Sequence, residues 1–297
     1  MLNRSFPGRI EKTRTVLLFL HLVLAATIPF VCADDGGKEN WWSAGVEKAL
    51  GRSAGNRAEL LGFLQGVPRP QRAAAAFLVE NMPQRDLEGL KADYLRENLD
   101  LAFEAKAAAA WGGSLPQDVF FNDVLPYVNA NEVREAWRPK LRQKCLPLVK
   151  DCKSPGEAAH ELNRKIFKLF GVRYSTKRNR ADQAPAETIE TGLASCTGLS
   201  ILLVDACRSV GVPARLAGTP NWVNKSGNHT WVEVWDDGWH FAGAAEPDAR
   251  GLDHGWFQGR AAQAIEDSPE HAIYAMSFRK TATPFPLVWA PGIDYVS

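Results

Sequence analysis

The stretch SCTGLSILLVDACRSVGVPARLAG, residues 195–218, constrains this chain more than any other. Leu199, Leu202, Leu203, Ala206, Cys207 and Val210 recur at three- and four-residue spacing, which predicts a helix with one apolar stripe. Gly211 and Pro213 stop it, and PARLAG reads as a short strand. HTWVEVW (229–235) then alternates, DDG supplies a turn, and WHFAGAAE (239–246) reads as the returning strand. Helix, strand and hairpin in this order predict an α+β fold with an antiparallel sheet.

That order also places chemistry. Cys196 opens the predicted helix, and His229 opens the next strand but one. A thiol attacks an amide well only as thiolate. The unpaired N–H groups and dipole of a helix start favour that charge. A histidine in contact takes the thiol proton and returns it to the leaving amine, and a carboxylate can hold the imidazole in the right tautomer. Ser195 is placed to cap the helix, and the Cys196 backbone N–H to serve an oxyanion. Taken alone, Cys196 reads as a small buried residue and His229 as a strand-edge histidine. The pair in this element order favours catalysis.

TGLASCTGLSILLVDACRSVGVPARL followed by NHTWVEVWDDGWHF resembles the transglutaminase-like superfamily, with a motif core over residues 185–260. The resemblance implies a papain-like core and acyl transfer through a cysteine thioester, with a protein or peptide as substrate and no cofactor. The superfamily holds cross-linkers, glycanases, proteases and inactive relatives, so a binding module for peptide or cell-surface polymer is the alternative. The family's acid usually lies about four residues after the tryptophan of the return strand. Counting from Trp239 gives Gly243, which has no carboxylate; Glu246 and Asp248 follow. A two-residue turn at Asp237-Gly238 would set Asp236 opposite Trp239 and His229 opposite Glu246. A turn on Asp236-Asp237 would set Ala244 there instead. The expected catalytic set is therefore Cys196, His229 and Glu246. Trp222 and Asn228, in the segment leading to His229, are the expected substrate-binding residues. Glu233 is expected to pair with a base such as Arg215, and Trp231 and Trp235 to serve the core.

The remaining features bound the setting. Residues 1–14 carry Arg4, Arg9, Lys12 and Arg14 against Glu11, and the apolar run TVLLFLHLVLAATIPFV follows. This predicts a signal peptide over 1–33, export, and no membrane attachment after cleavage. The formal net charge of +1 resides in that basic start, so the rest of the chain has no basic surplus for nucleic acid. Export would leave Cys145, Cys152, Cys196 and Cys207, of which Cys145 and Cys152 have the spacing for a disulfide. His160, His254 and His271 have no neighbours at metal-ligand spacing, and no metal is expected. Residues 34–114 read as an N-terminal helical region with breaks at VPRPQ, MPQRD and GGSLPQD, and 115–297 as the transglutaminase-like domain, helical through 117–170.

Overall fold

The computed structural model describes residues 40–297, and Trp41–Ser297 form one compact unit. The expected signal peptide over 1–33 lies outside the described residues. Helices α1 (Ala44–Arg52), α2 (Arg57–Gly66), α3 (Arg72–Asn81), α4 (Gln84–Leu87), α5 (Ala92–Ala108) and α6 (Gln117–Asp123) come first. Their core of Leu60, Phe63, Leu78, Leu95, Leu99 and Phe120 extends through Val128, and Trp235 and Phe278 pack against it from later in the chain. The alanine-rich runs of α3 and α5 favour helix because alanine loses no side-chain entropy there.

The expected helical continuation across 117–170 is interrupted. Residues 124–136 form no helix. Buried Glu132 instead accepts the backbone N–H groups of Asn129 and Ala130 at 2.6 and 2.7 Å, satisfying donors that a helix would have used. Helices α7 (Trp137–Val149) and α8 (Pro155–Phe170) follow. Ser154 caps α8, which ends on Gly171 at φ 66°. Next come β1 (Arg173–Tyr174), α9 (Pro185–Thr191), β2 (Leu193–Ala194) and α10 (Cys196–Ser209). Strands β3 (Ala214–Thr219), β4 (His229–Trp235) and β5 (Trp239–Ala242), short helix α11 (Gln258–Ala261) and β6 (Tyr274–Ala275) complete the order. The main sheet is antiparallel, ordered β5-β4-β3-β6, and β1 pairs in parallel with β2.

The amphipathic reading of α10 is corrected. Thr197 through Ser209 are all buried, polar residues included. Strands β3 and β4 cover one side, and α5, α7, α8 and α9 cover the others. Such a helix must satisfy its buried polar groups internally. Arg208 donates to the carbonyls of Asp123, Val128 and Ala214 at 3.0–3.1 Å, and Asp205 Oδ1 accepts from Asn129 at 2.8 Å. Fully buried Arg138 of α7 donates to Asn98 Oδ1 on α5, to Arg208 O on α10, and to the carbonyls of Val124 and Pro126. This one guanidinium ties the N-terminal helices to α10.

The expected Cys145–Cys152 bridge is absent: all four described cysteines are free. Cys145 faces inward from α7 to a hydrogen bond with Ser209, and burial pushes its thiol up to about 12. Cys152 lies beyond the end of α7, half-exposed. Cys207 is buried, with its thiol also pushed up by burial.

Arg138→Met should strand several buried carbonyls at once. Removing one partner from a buried charge-assisted set costs on the order of 3 kcal/mol. The urea midpoint should fall accordingly. A midpoint within experimental error of wild type would show that Arg138 does not tie the layers together.

Candidate active site

Cys196 is the first residue of α10, and its position is set from both sides. Ser195 is extended; its Oγ accepts from Gly198 N at 3.1 Å and donates to Ala181 O at 2.6 Å. The parallel pairing of Tyr174 with Ala194 holds the preceding backbone. Cys196 is half-exposed, unlike the residues that follow it. The cap thus fixes where α10 starts and holds Cys196 at its first position.

His229 arrives from the sheet. Thr230 and Thr197, each one residue beyond His229 and Cys196, share a buried hydroxyl–hydroxyl hydrogen bond of 2.9 Å. Ser200 Oγ donates to Thr230 O at 3.4 Å. The start of β4 is thus tied to the first turn of α10. Cys196 and His229 line one cavity of about 320 Å³ together with Glu246, Trp222, Asn228, Tyr174, Trp256 and Arg260. All five residues expected from the sequence line it. Tyr174, Trp256 and Arg260 were not expected, because they lie on β1 and around α11, outside the Cys and His motifs.

The surroundings of His229 are aromatic. Its ring centroid lies 5.0 Å from those of Trp256 and Phe257 and 5.9 Å from Trp222. Trp222 stacks on Trp231 with an interplanar angle of 3°, so Trp222 belongs to a small core cluster while also lining the cavity. His229 is buried, and its Nε2 has no hydrogen-bond partner. Burial and then the positive charge of Arg260 lower its pKa to about 4. The resting imidazole is therefore neutral at pH 7 and able to accept a proton.

The hairpin register differs from expectation. Trp235 pairs with Trp239 and Val232 with Ala242, so the loop has three residues, Asp236, Asp237 and Gly238. The ladder stops at Ala242, and His229 has no partner on β5. Two causes are visible. Asp237 adopts the left-handed conformation, φ 56°, which aspartate tolerates in turns. Asp236 is drawn to the start of α8, where its Oδ2 accepts from Ser154 Oγ at 2.7 Å and Gly156 N at 3.1 Å.

Glu246 enters the cavity by another route. Buried Asn163 of α8 donates to Gly243 O and accepts from Ala245 N, both at 2.9 Å, clamping the turn before Glu246. A methyl group at position 243 would meet Glu246 Oε2 at 2.7 Å. The carboxyl therefore folds over Gly243 and fills the space where a side chain there would begin. Oε2 accepts from Trp256 Nε1 at 2.7 Å, and burial raises the carboxyl pKa. No hydrogen bond joins Glu246 to His229. Asp248 does not line the cavity: it is held by Arg250 through two side-chain bonds of 2.8 Å, which lower its pKa. Glu233 pairs with Arg215 as expected, at 2.6 Å.

Residues 142–244 match the model of the transglutaminase-like superfamily. No curated protein matches the chain. Among solved structures, one from Cytophaga hutchinsonii, provisionally described as a cysteine protease, aligns at 18% identity with a TM-score of 0.36. That alignment covers 58% of this chain and 60% of the other. The matched segment ends two residues before Glu246 and holds α8, α10, β3, β4 and β5, with Cys196 and His229 on them. What the comparisons establish is thus a similarity to the transglutaminase-like superfamily over residues 142–244, the segment that carries Cys196 and His229.

Proposed function

We propose that the cleft is that of an exported cysteine enzyme acting on protein or peptide amides through a thioester. The observation that carries this reading is the half-exposed Cys196 at a helix start sharing one cavity with an unpartnered, neutral His229. The basic, apolar start of the sequence supports export.

The steps follow from these groups. Neutral His229 takes the thiol proton as the Cys196 sulfur adds to the amide carbonyl carbon. The resulting oxyanion is met by N–H groups at the start of α10. Collapse breaks the C–N bond, and the imidazolium delivers its proton to the departing amine. Water or a second amine, deprotonated by His229, then attacks the thioester and frees Cys196. The imidazolium is costly in this buried site beside Arg260, so a carboxylate that approaches it has a stabilising role. Glu246 is the acid in the same cavity, and its carboxyl fills the space above Gly243, where the family's usual acid would begin. The bond from Trp256 to Glu246, with none to His229, favours the second reading, a non-catalytic binding module of the same fold.

Acylation of Cys196 by a peptide amide or activated acyl donor, followed by mass spectrometry, separates the two. Cys196→Ala should abolish labelling in a folded protein, whereas Cys207→Ala should keep it. Glu246→Gln should slow acylation about 100-fold, and Asp248→Asn should have little effect. A wild-type protein that no acyl donor labels would leave the binding module as the correct reading.

A pH dependence follows from His229. Its folded-state pKa, about 4, lies below the ordinary 6.5. Between those values the unfolded chain binds a proton that the folded chain does not, so stability present above pH 6.5 is lost on acidification towards pH 4. The ceiling is roughly 3 kcal/mol. His229→Gln should flatten this part of the profile, measured as urea midpoints from pH 7 to 4. Parallel profiles for the two proteins would show that His229 is not held neutral.

A further inference from the structure

The cleft wall contains a cation that no acid neutralises. Arg260 lies on α11 and lines the cavity with Cys196 and His229. Among the described residues its guanidinium forms no ion pair. Its Nη1 donates to Ser226 Oγ at 3.2 Å, and the group lies over the Trp256 ring at 5.4 Å from the centroid. Ser226 Oγ is in turn committed to Asn224 Oδ1 at 2.6 Å. Trp256 is held through its Nε1 by Glu246. The guanidinium is thus steadied by a hydroxyl and an aromatic face while most of its five donors stay unused. Glu246, the one carboxylate on the cavity wall, is engaged by Trp256 instead.

This arrangement costs the proposed chemistry something. The positive charge of Arg260 opposes protonation of His229, the very state that must form when Cys196 gives up its proton. A cation kept beside a catalytic base, without a protein counter-ion, makes sense when the substrate brings the counter-ion. A planar guanidinium matches a planar carboxylate, two parallel N–H···O bonds being stronger and more directional than one. Filling the site would also remove the charge that disfavours the imidazolium, so binding and chemistry would reinforce each other.

We propose that Arg260 is a specificity residue that binds a carboxylate of the substrate, so that the preferred substrate is an anionic peptide whose acid group lies near the amide attacked. The inference rests on the reading of the cleft as a cysteine acyl-transfer site. The carboxylate has two sources, a free peptide C-terminus or an acidic side chain.

Binding is read by calorimetry in Cys196→Ala protein, which cannot turn over, with N-acetylated hexapeptides built on one Ala-Gln-Gly sequence. Three forms are compared: free C-terminal acid, C-terminal amide, and C-terminal amide with one internal Gln replaced by Glu. An acid-bearing form should bind about 10- to 100-fold more tightly than the neutral amide. Preference for the first form names the C-terminus as source, and preference for the third names an acidic side chain. Arg260→Gln should remove the preference, and Arg260→Lys, which keeps charge but not the fork, should restore part of it. Arg260 is exposed, so both variants should fold, checked by thermal unfolding. Equal binding of all three peptides, or a preference that survives Arg260→Gln, would overturn the proposal. Acylation of Cys196 in otherwise wild-type protein is measured separately. Acylation without discrimination defeats the role of Arg260 alone, whereas discrimination in binding without acylation defeats the enzyme reading and keeps the carboxylate site.

Discussion

The hydroxyl pair of Thr197 and Thr230 is the contact on which the cleft depends. One belongs to the helix that presents the thiol, the other to the strand that presents the imidazole. A buried hydrogen bond between neutral groups contributes only about 1 kcal/mol net, but a misaligned pair would leave both hydroxyls unsatisfied, a larger penalty. This asymmetry fixes the axial position of the strand against the helix. It works only because α10 cannot shift. The helix is buried from Thr197 to Ser209, its C-terminal carbonyls are gripped by Arg138 and Arg142, and Trp111 donates to Gly211 O at 2.8 Å just beyond it. Gly211 has φ 81°, and a methyl group there would meet Ala105 O at 2.7 Å, so glycine is required where α10 turns beneath α5. The N-terminal helices thus act as the seat of the helix that carries Cys196.

The same burial that fixes the geometry sets the electrostatics. His229 is enclosed by Trp222, Trp256 and Phe257, which exclude water and favour the neutral ring. A neutral ring is the form that the proposed proton transfer from Cys196 requires. Glu246, the acid proposed to steady an imidazolium, is engaged by the indole N–H of Trp256. Trp256 is more than half exposed, so the residue that holds Glu246 is itself open to solvent. Glu246, Trp256 and Arg260 form a linked wall whose charges are balanced only in part by the protein itself.

Much of this was legible in the sequence for a simple reason. The periods of an α-helix and a β-strand are local, and Ser195, Gly211 and Pro213 mark ends by backbone chemistry that needs no distant partner. The helix opening at Cys196, the strands at 214–219 and 229–235, the Ser195 cap and the Arg215–Glu233 pair all follow from such rules. The family's order of elements also brings Cys196, His229, Trp222 and Asn228 to one cavity; Glu246 lines it too, but not by the register from which it was expected.

Tertiary structure decided the rest. The Asp-Gly turn signal predicted a two-residue hairpin, but the start of α8 recruits Asp236 and the loop takes three residues. A contact from a segment some 80 positions away outweighed a local preference. Glu246 reaches the cavity through Asn163, not through a strand register, because the ladder stops at Ala242. The apolar stripe of α10 could not disclose that the opposite face is buried too, since Arg208 and Asp205 look like solvent residues until their partners from other elements are known. The sequence by itself determined which residues are candidates for the proposed chemistry and which elements carry most of them. Only the folded chain decided how those elements are aligned, because the hydrogen bonds that align them join residues whose separation along the chain carries no period.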